Sequence, residues 1–197
     1  MQLSYSLRLF LGLIGLAVGI AIASATAAGE RPVEIAGDGA DAEKLFPRFK
    51  GAGGVYRIDQ APALNPDQPH KLLLDVTADG PKEEVHAGLE HAARAINLYA
   101  LANVPRDKVS VTVVVHGEAT PLVLNDAAYR RAFDIPNPNS DLLNRLSEAG
   151  VDIRICGQAL RHHNFHESDV SHSANVDLSA MTTLVELGNR GYALIPD

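Results

Sequence analysis

From Lys71 onward, hydrophobic and polar positions alternate between strand and helix patterns. Leu72-Leu73-Leu74-Asp75-Val76-Thr77 is a nearly continuous apolar run, the form taken by a strand buried on both faces. Asp79-Gly80-Pro81 breaks it, and Glu83 and Glu84 place acid in the first turn of a helix. Apolar residues at Val85, Leu89, Ala92, Ile96 and Tyr99 then recur at helical spacing, and that helix is predicted to end near Asn103, before Pro105. Residues 109–115, VSVTVVV, are β-branched almost throughout and predict a second strand, stopped by His116-Gly117.

Two short helical segments are predicted next, over 121–124 and 126–133, before Pro136-Asn137-Pro138-Asn139 forces a loop. Leu142, Leu143, Leu146 and Ala149 mark a helix that Asn139 or Ser140 caps and Gly150 ends. Residues 151–155 predict a third strand, closed by Cys156-Gly157, and a histidine-rich loop runs to Ser173. A short fourth strand over 175–178 leads to a helix capped by Ser179, with Met181, Leu184, Val185 and Leu187 on its apolar side. Gly191 ends that helix, and residues 192–195 supply a fifth strand.

Strict alternation of strand and helix is the mark of a parallel sheet with helices on both faces. The predicted class is α/β: a three-layer α/β/α sandwich with a mostly parallel five-stranded sheet, spanning residues 71–197. No period of 20 to 50 residues repeats, which excludes a solenoid. The first strand is followed by Thr77-Ala78-Asp79-Gly80-Pro81, neither a dinucleotide loop nor a phosphate loop, so a nucleotide enzyme is disfavoured.

The first 70 residues follow another pattern. Residues 1–28 hold one basic residue (Arg8), no acid, an apolar stretch over 9–23 and an Ala25-Thr26-Ala27 cleavage-like site, as a secretory signal peptide does. A retained membrane anchor is the rival reading; the apolar stretch is short for a span. No later segment is apolar enough to cross a bilayer, so the expected product is a soluble periplasmic protein with no stable membrane insertion once the leader is cleaved. Residues 29–70, rich in Gly, Pro, Asp and Ala, are predicted as an extended arm. It holds one strand candidate, Val55-Tyr56-Arg57-Ile58, while Leu45, Phe46 and Phe49 are placed to pack it onto the domain or a neighbouring subunit.

Composition narrows the function classes. The 197 residues carry a net charge of −7, which argues against nucleic acid as a partner without a local basic patch. Absence of tryptophan and 5% aromatics disfavour a base-stacking platform. A single cysteine excludes an internal disulfide framework and a four-cysteine metal site.

Parallel strands present their C-terminal ends at one edge, where open α/β sheets bind ligands. Asp75, His116 and Cys156 fall at the ends of the first, second and third strands. Cys156 precedes Gly157 and a helical turn over 158–163, whose free N–H groups and dipole favour the thiolate, the nucleophilic form. Imidazoles at His116, His162 or His163 are available to add to that or to take the proton. The bland alternatives are a buried cysteine acting as a small hydrophobe, a histidine capping backbone, and Asp75 capping the turn at 77–80. Cys156 with His162, His163, His166 and His172 spells C-x5-H-H-x2-H-x5-H. Such ligands suit zinc or copper, but the spacing matches no recognised finger, and no metal or other cofactor is assigned. Glu83, Glu84 and Glu90 read as a solvated helix face.

Asn125-Asp126-Ala127-Ala128-Tyr129, Asn137-Pro138-Asn139, the run from Gly150 through Cys156-Gly157-Gln158 to Leu160, and Gly191-Tyr192-Ala193-Leu194-Ile195-Pro196 resemble the DsrE/DsrF-like sulfur-relay family, most nearly its exported branch. The resemblance spans about residues 71–196 and is most specific around Cys156. It implies an α/β/α sandwich assembled as a trimer or hexamer, with a sulfur donor or acceptor protein as a further partner. The family's sulfur-accepting cysteine corresponds to Cys156, and His116 matches a His-Gly pair of the exported branch. The resulting expectation is an exported protein that accepts or carries sulfane sulfur on Cys156, with His116 assisting and Asp75, Gly157, Gln158, His162 and His163 as binding candidates. The rival expectation is a non-enzymatic periplasmic module that binds a small ligand or a metal through the histidine-rich loop.

Overall fold

The computed structural model describes residues 43–196; the proposed leader and the first part of the arm lie outside them. Five strands form one sheet: β1 (His70–Val76), β2 (Val109–Val115), β3 (Asp152–Cys156), β4 (Asn175–Asp177) and β5 (Ala193–Pro196). Helices α1 (Ala87–Leu101), α2 (Asp126–Phe133), α3 (Ser140–Glu148), α4 (Gly157–His162) and α5 (Ala180–Asn189) lie between them, with 3-10 segments at Arg106–Lys108, Gly117–Val123 and Glu167–Asp169. Every pairing is parallel, in the order β4-β3-β2-β1-β5. The sandwich expected from the alternation is present. Strands β1 to β4 add in one direction, and β5 then pairs with the free side of β1, which puts the topological switch at β1.

The two sheet faces are filled unequally. Leu89, Ala92, Ala93 and Ile96 of α1 and Leu142, Leu143 and Leu146 of α3 pack with Leu74, Val76, Val113, Val115, Ile153 and Ile155. On the other face Leu73, Val114 and Cys156 lie with Ala180 and Leu187 of α5. A fully buried aliphatic side chain contributes about 1.5–3 kcal/mol. The α1–α3 face, with far more of them, therefore carries most of the apolar stabilisation.

Several local expectations are corrected. Helix α1 begins at Ala87, not at Glu83, because His86 caps it: His86 Nδ1 accepts from the Gly88 N–H at 3.0 Å. Its other ring nitrogen lies 2.9 Å from the Ala78 carbonyl and can only donate there, which fixes the neutral Nε2–H tautomer. Val85 is left outside the helix and exposed. Residues 55–58 form no strand: Val55 pairs with Leu45 in a single antiparallel bridge, and Tyr56 and Ile58 are exposed. At the start of α3, Asn139 occupies the cap position without a capping bond, because its Oδ1 accepts from the His86 N–H at 2.8 Å. On α5 the buried stripe is Ala180, Thr183 and Leu187, while Met181 and Val185 are exposed. No helix among the described residues is long and apolar enough to cross a membrane.

The arm residues nearest the domain are tied to α1. Fully buried Asn97 accepts from the Arg48 and Phe49 N–H groups and donates to the carbonyls of Phe49, Ala52 and Gly53. Gly53 has φ +59, and a Cβ there would lie 2.0 Å from the Arg94 nitrogen, so the chain passes α1 only as glycine. Phe49 and Ala52 are thereby buried in the main core.

Candidate functional site at the C-terminal edge of the sheet

The sheet register explains which side chains meet. Asp75 pairs with Val114, which pairs with Arg154; two residues on, Cys156 pairs with Asp177. Laterally paired residues of a parallel sheet share a face, and so do residues two apart along a strand. Asp75, Arg154, Cys156 and Asp177 therefore lie on the α5 face. His116 and Cys156 each follow immediately after the Val115–Ile155 pair, on adjacent strands.

Asp75 and His116 make direct contact. Asp75 Oδ1 accepts from His116 Nε2 at 2.8 Å, with both side chains partly buried. This hydrogen bond orients the imidazole and leaves Nδ1 as its free nitrogen. Asp75 does not cap the turn after β1; there the Gly80 N–H is taken by Asp79, whose carboxyl is held below the usual range first by Lys82.

Cys156 ends β3, is 6% exposed, and is a free thiol at the cap position of α4. Gly157 is required by space, since a Cβ would lie 2.8 Å from the Asp177 carbonyl oxygen. Gln158 is exposed, and its amide donates to the Leu178 carbonyl at 3.3 Å, linking α4 to the segment after β4. His162 and His163 meet edge to face with ring centroids 5.5 Å apart, the first exposed and the second partly buried. His166 is already engaged: its Nδ1 accepts from Arg161 at 2.9 Å, and its N–H donates to Asp169. That backbone bond, followed by Arg131, holds the Asp169 carboxyl below its ordinary value. Among the described residues no three His, Cys, Asp or Glu side chains gather as a metal would need, so C-x5-H-H-x2-H-x5-H is not brought together.

The sequence reading missed a neighbouring cluster. Arg154 donates to Asp152 at 2.7 Å and to Asp177 at 3.1 Å, and the Thr183 hydroxyl donates to Asp177 at 2.6 Å. Burial alone would lower the Arg154 pKa, but hydrogen bonds and charge from Asp152 and Asp177 raise it, so the guanidinium stays charged and neutralised. The signal was available: in Asp152-Ile153-Arg154-Ile155-Cys156 the polar positions alternate onto the face that carries Cys156.

Likeness to known proteins agrees with this architecture. A solved structure of a protein of unknown function, MTH1491 from Methanobacterium thermoautotrophicum, superposes with a TM-score of 0.50 at 18% identity, covering 65% of this chain and 99% of the other. That likeness shows the fold alone. No curated protein matches the chain. Residues 71–196, from the first strand to the last, match the model of the DsrE/DsrF-like family. With most of the chain matched and the five-stranded α/β sandwich in place, the protein belongs to the DsrE/DsrF-like family.

Proposed function

We propose that the protein is an exported carrier that accepts sulfane sulfur on Cys156 within a homo-oligomer. The observation that carries this reading is the lone thiol ending β3 beside His116, whose imidazole is already held by Asp75. In the transfer step His116 Nδ1 takes the thiol proton and Asp75 stabilises the imidazolium. The Cys156 thiolate then attacks the terminal sulfur of a donor persulfide, R–S–SH. The Cys156 S–S bond forms as the donor S–S bond breaks, and the donor leaves as its thiolate, R–S⁻. No external oxidant or reductant enters this exchange. The N–H groups of Gly157 and Gln158 open α4 and offer donors to the sulfur anion.

Residues 1–28 support export, and the apolar side chains of Leu178, Met181, Val185 and Leu194, all exposed in the single chain, support assembly. Mass spectrometry of the purified protein after exposure to a low-molecular-weight persulfide tests the reaction. One added sulfur, about 32 Da, is expected on the peptide holding Cys156. An unmodified Cys156 under conditions that load a control thiol would remove the proposal.

A further inference from the structure

A second concave site lies largely on the opposite face of the sheet. A cleft of about 680 Å³ runs between α1, β1, the end of β5 and the coil over residues 56–64. Its floor is Leu72 and Leu74 of β1 with Ile195, which pairs with Leu74. Helix α1 contributes one wall at helical spacing through Ala95, Leu98 and Tyr99, continued by Ala102 just past its end. The coil supplies the other wall, and there Tyr56, Ile58 and Leu64 remain exposed rather than packing down. The two apolar walls thus face each other without closing, and the volume falls in the range of small-molecule sites, about 300–1,000 Å³.

The charge of the cleft opposes that of the chain. In a protein of net charge −7, the described residues that line this site include no aspartate or glutamate, yet include Arg57 and Arg94. Among the described residues neither guanidinium takes part in an ion pair or donates a hydrogen bond. Arg131, Arg145 and Arg154, by contrast, each hold a carboxylate. The Tyr99 hydroxyl also has no hydrogen-bond partner among the described residues, and burial pushes its pKa up, which keeps it a donor. An apolar floor with unspent cationic and hydroxyl donors describes the complement of an amphiphile with a negative head.

We propose that this cleft binds a long-chain carboxylate, its head against Arg57 and Arg94 and its hydrocarbon tail along Leu72, Leu74, Leu98 and Ile195. Recognition combines charge-assisted hydrogen bonds at one end with apolar burial along the other. A cation of the same tail length lacks the first component, and a short carboxylate lacks the second.

Calorimetric titration of the purified protein with decanoate, decylamine and acetate, below any micelle concentration, tests this. Saturable binding of one decanoate per chain is expected, with no binding of acetate and at least tenfold weaker binding of decylamine. Replacing both cations, Arg57→Gln with Arg94→Gln, is expected to weaken decanoate at least tenfold. Leu98→Glu, at an exposed helix position, is expected to abolish binding with the circular dichroism spectrum unchanged. Cys156→Ser is expected to bind decanoate as the parent does, so failure here and failure of sulfur transfer are read separately. Equal affinity for decylamine, or unchanged affinity in the double arginine variant, overturns the proposal. So does failure of decanoate to bind while Leu98→Glu converts an oligomer to monomers, because the cleft is then a contact between copies.

Discussion

At the residue scale the proposed sulfur transfer turns on what Asp75 does for His116. A carboxylate 2.8 Å from Nε2 selects the tautomer and, in the proposed transfer, holds the imidazole while Nδ1 takes the thiol proton. Asp75→Asn keeps the size and an acceptor oxygen but removes the charge. The expected result is a loss of about tenfold or more in the rate of Cys156 persulfidation, and His116→Ala is expected to lose about a hundredfold. Both side chains are partly exposed, so thermal unfolding of the two variants should stay close to that of the parent. Single-turnover mass spectrometry gives the rates. A parent-like rate in Asp75→Asn would reduce the Asp75–His116 pair to a structural contact.

At the scale of elements, Asn97 shows how a helix face can hold more than the apolar pattern suggests. It falls at the eighth position after Leu89, inside the stripe of Leu89, Ala92, Ala93 and Ile96, where a polar side chain must find partners. Its five hydrogen bonds fix the chain over residues 48–53 against α1. Asn97→Ala leaves several backbone groups of that segment unsatisfied and opens a void. The expected cost is about 3 kcal/mol, a fall in melting temperature of roughly 6–12 °C by calorimetry. A shift under about 2 °C would mean the segment does not depend on this anchor. The same logic separates what the sequence discloses from what it hides. Strands β1 and β2 and helix α2 are legible because their patterns are local, as are the strand ends that place Asp75, His116 and Cys156. The Asn139 bond back to His86 and the Asn97 anchor are not, because each joins residues far apart in sequence. The exposed side of α5 misleads for a related reason. Met181 and Val185 fit an apolar helix face, but the buried side of α5 is Ala180, Thr183 and Leu187, with the Thr183 hydroxyl satisfied by Asp177.

At the scale of the molecule, the unequal filling of the two sheet faces supports a link between the proposed assembly and the proposed chemistry. Among the described residues α1 and α3 cover the larger face, whereas α5, with Ala159 of α4, packs against the face that carries Cys156, His116 and Asp75. Leu178 is 73% exposed, Met181 76% and Val185 60%, a cluster on and just before α5 that a monomer in water gains nothing from displaying. Burying it against a second copy would shield the edge where the thiol sits and exclude water from a bound sulfur. Met181→Glu combined with Val185→Lys places charge at the centre of that cluster and touches no buried residue. Light scattering coupled to gel filtration should therefore show an oligomer for the parent and a monomer for the variant, with the same circular dichroism. If assembly also protects the carried sulfur, the monomeric variant should release it to a small thiol several times faster than the parent. An oligomer unchanged by both substitutions would place the contact elsewhere on the chain and leave the α5 face open to a donor protein instead.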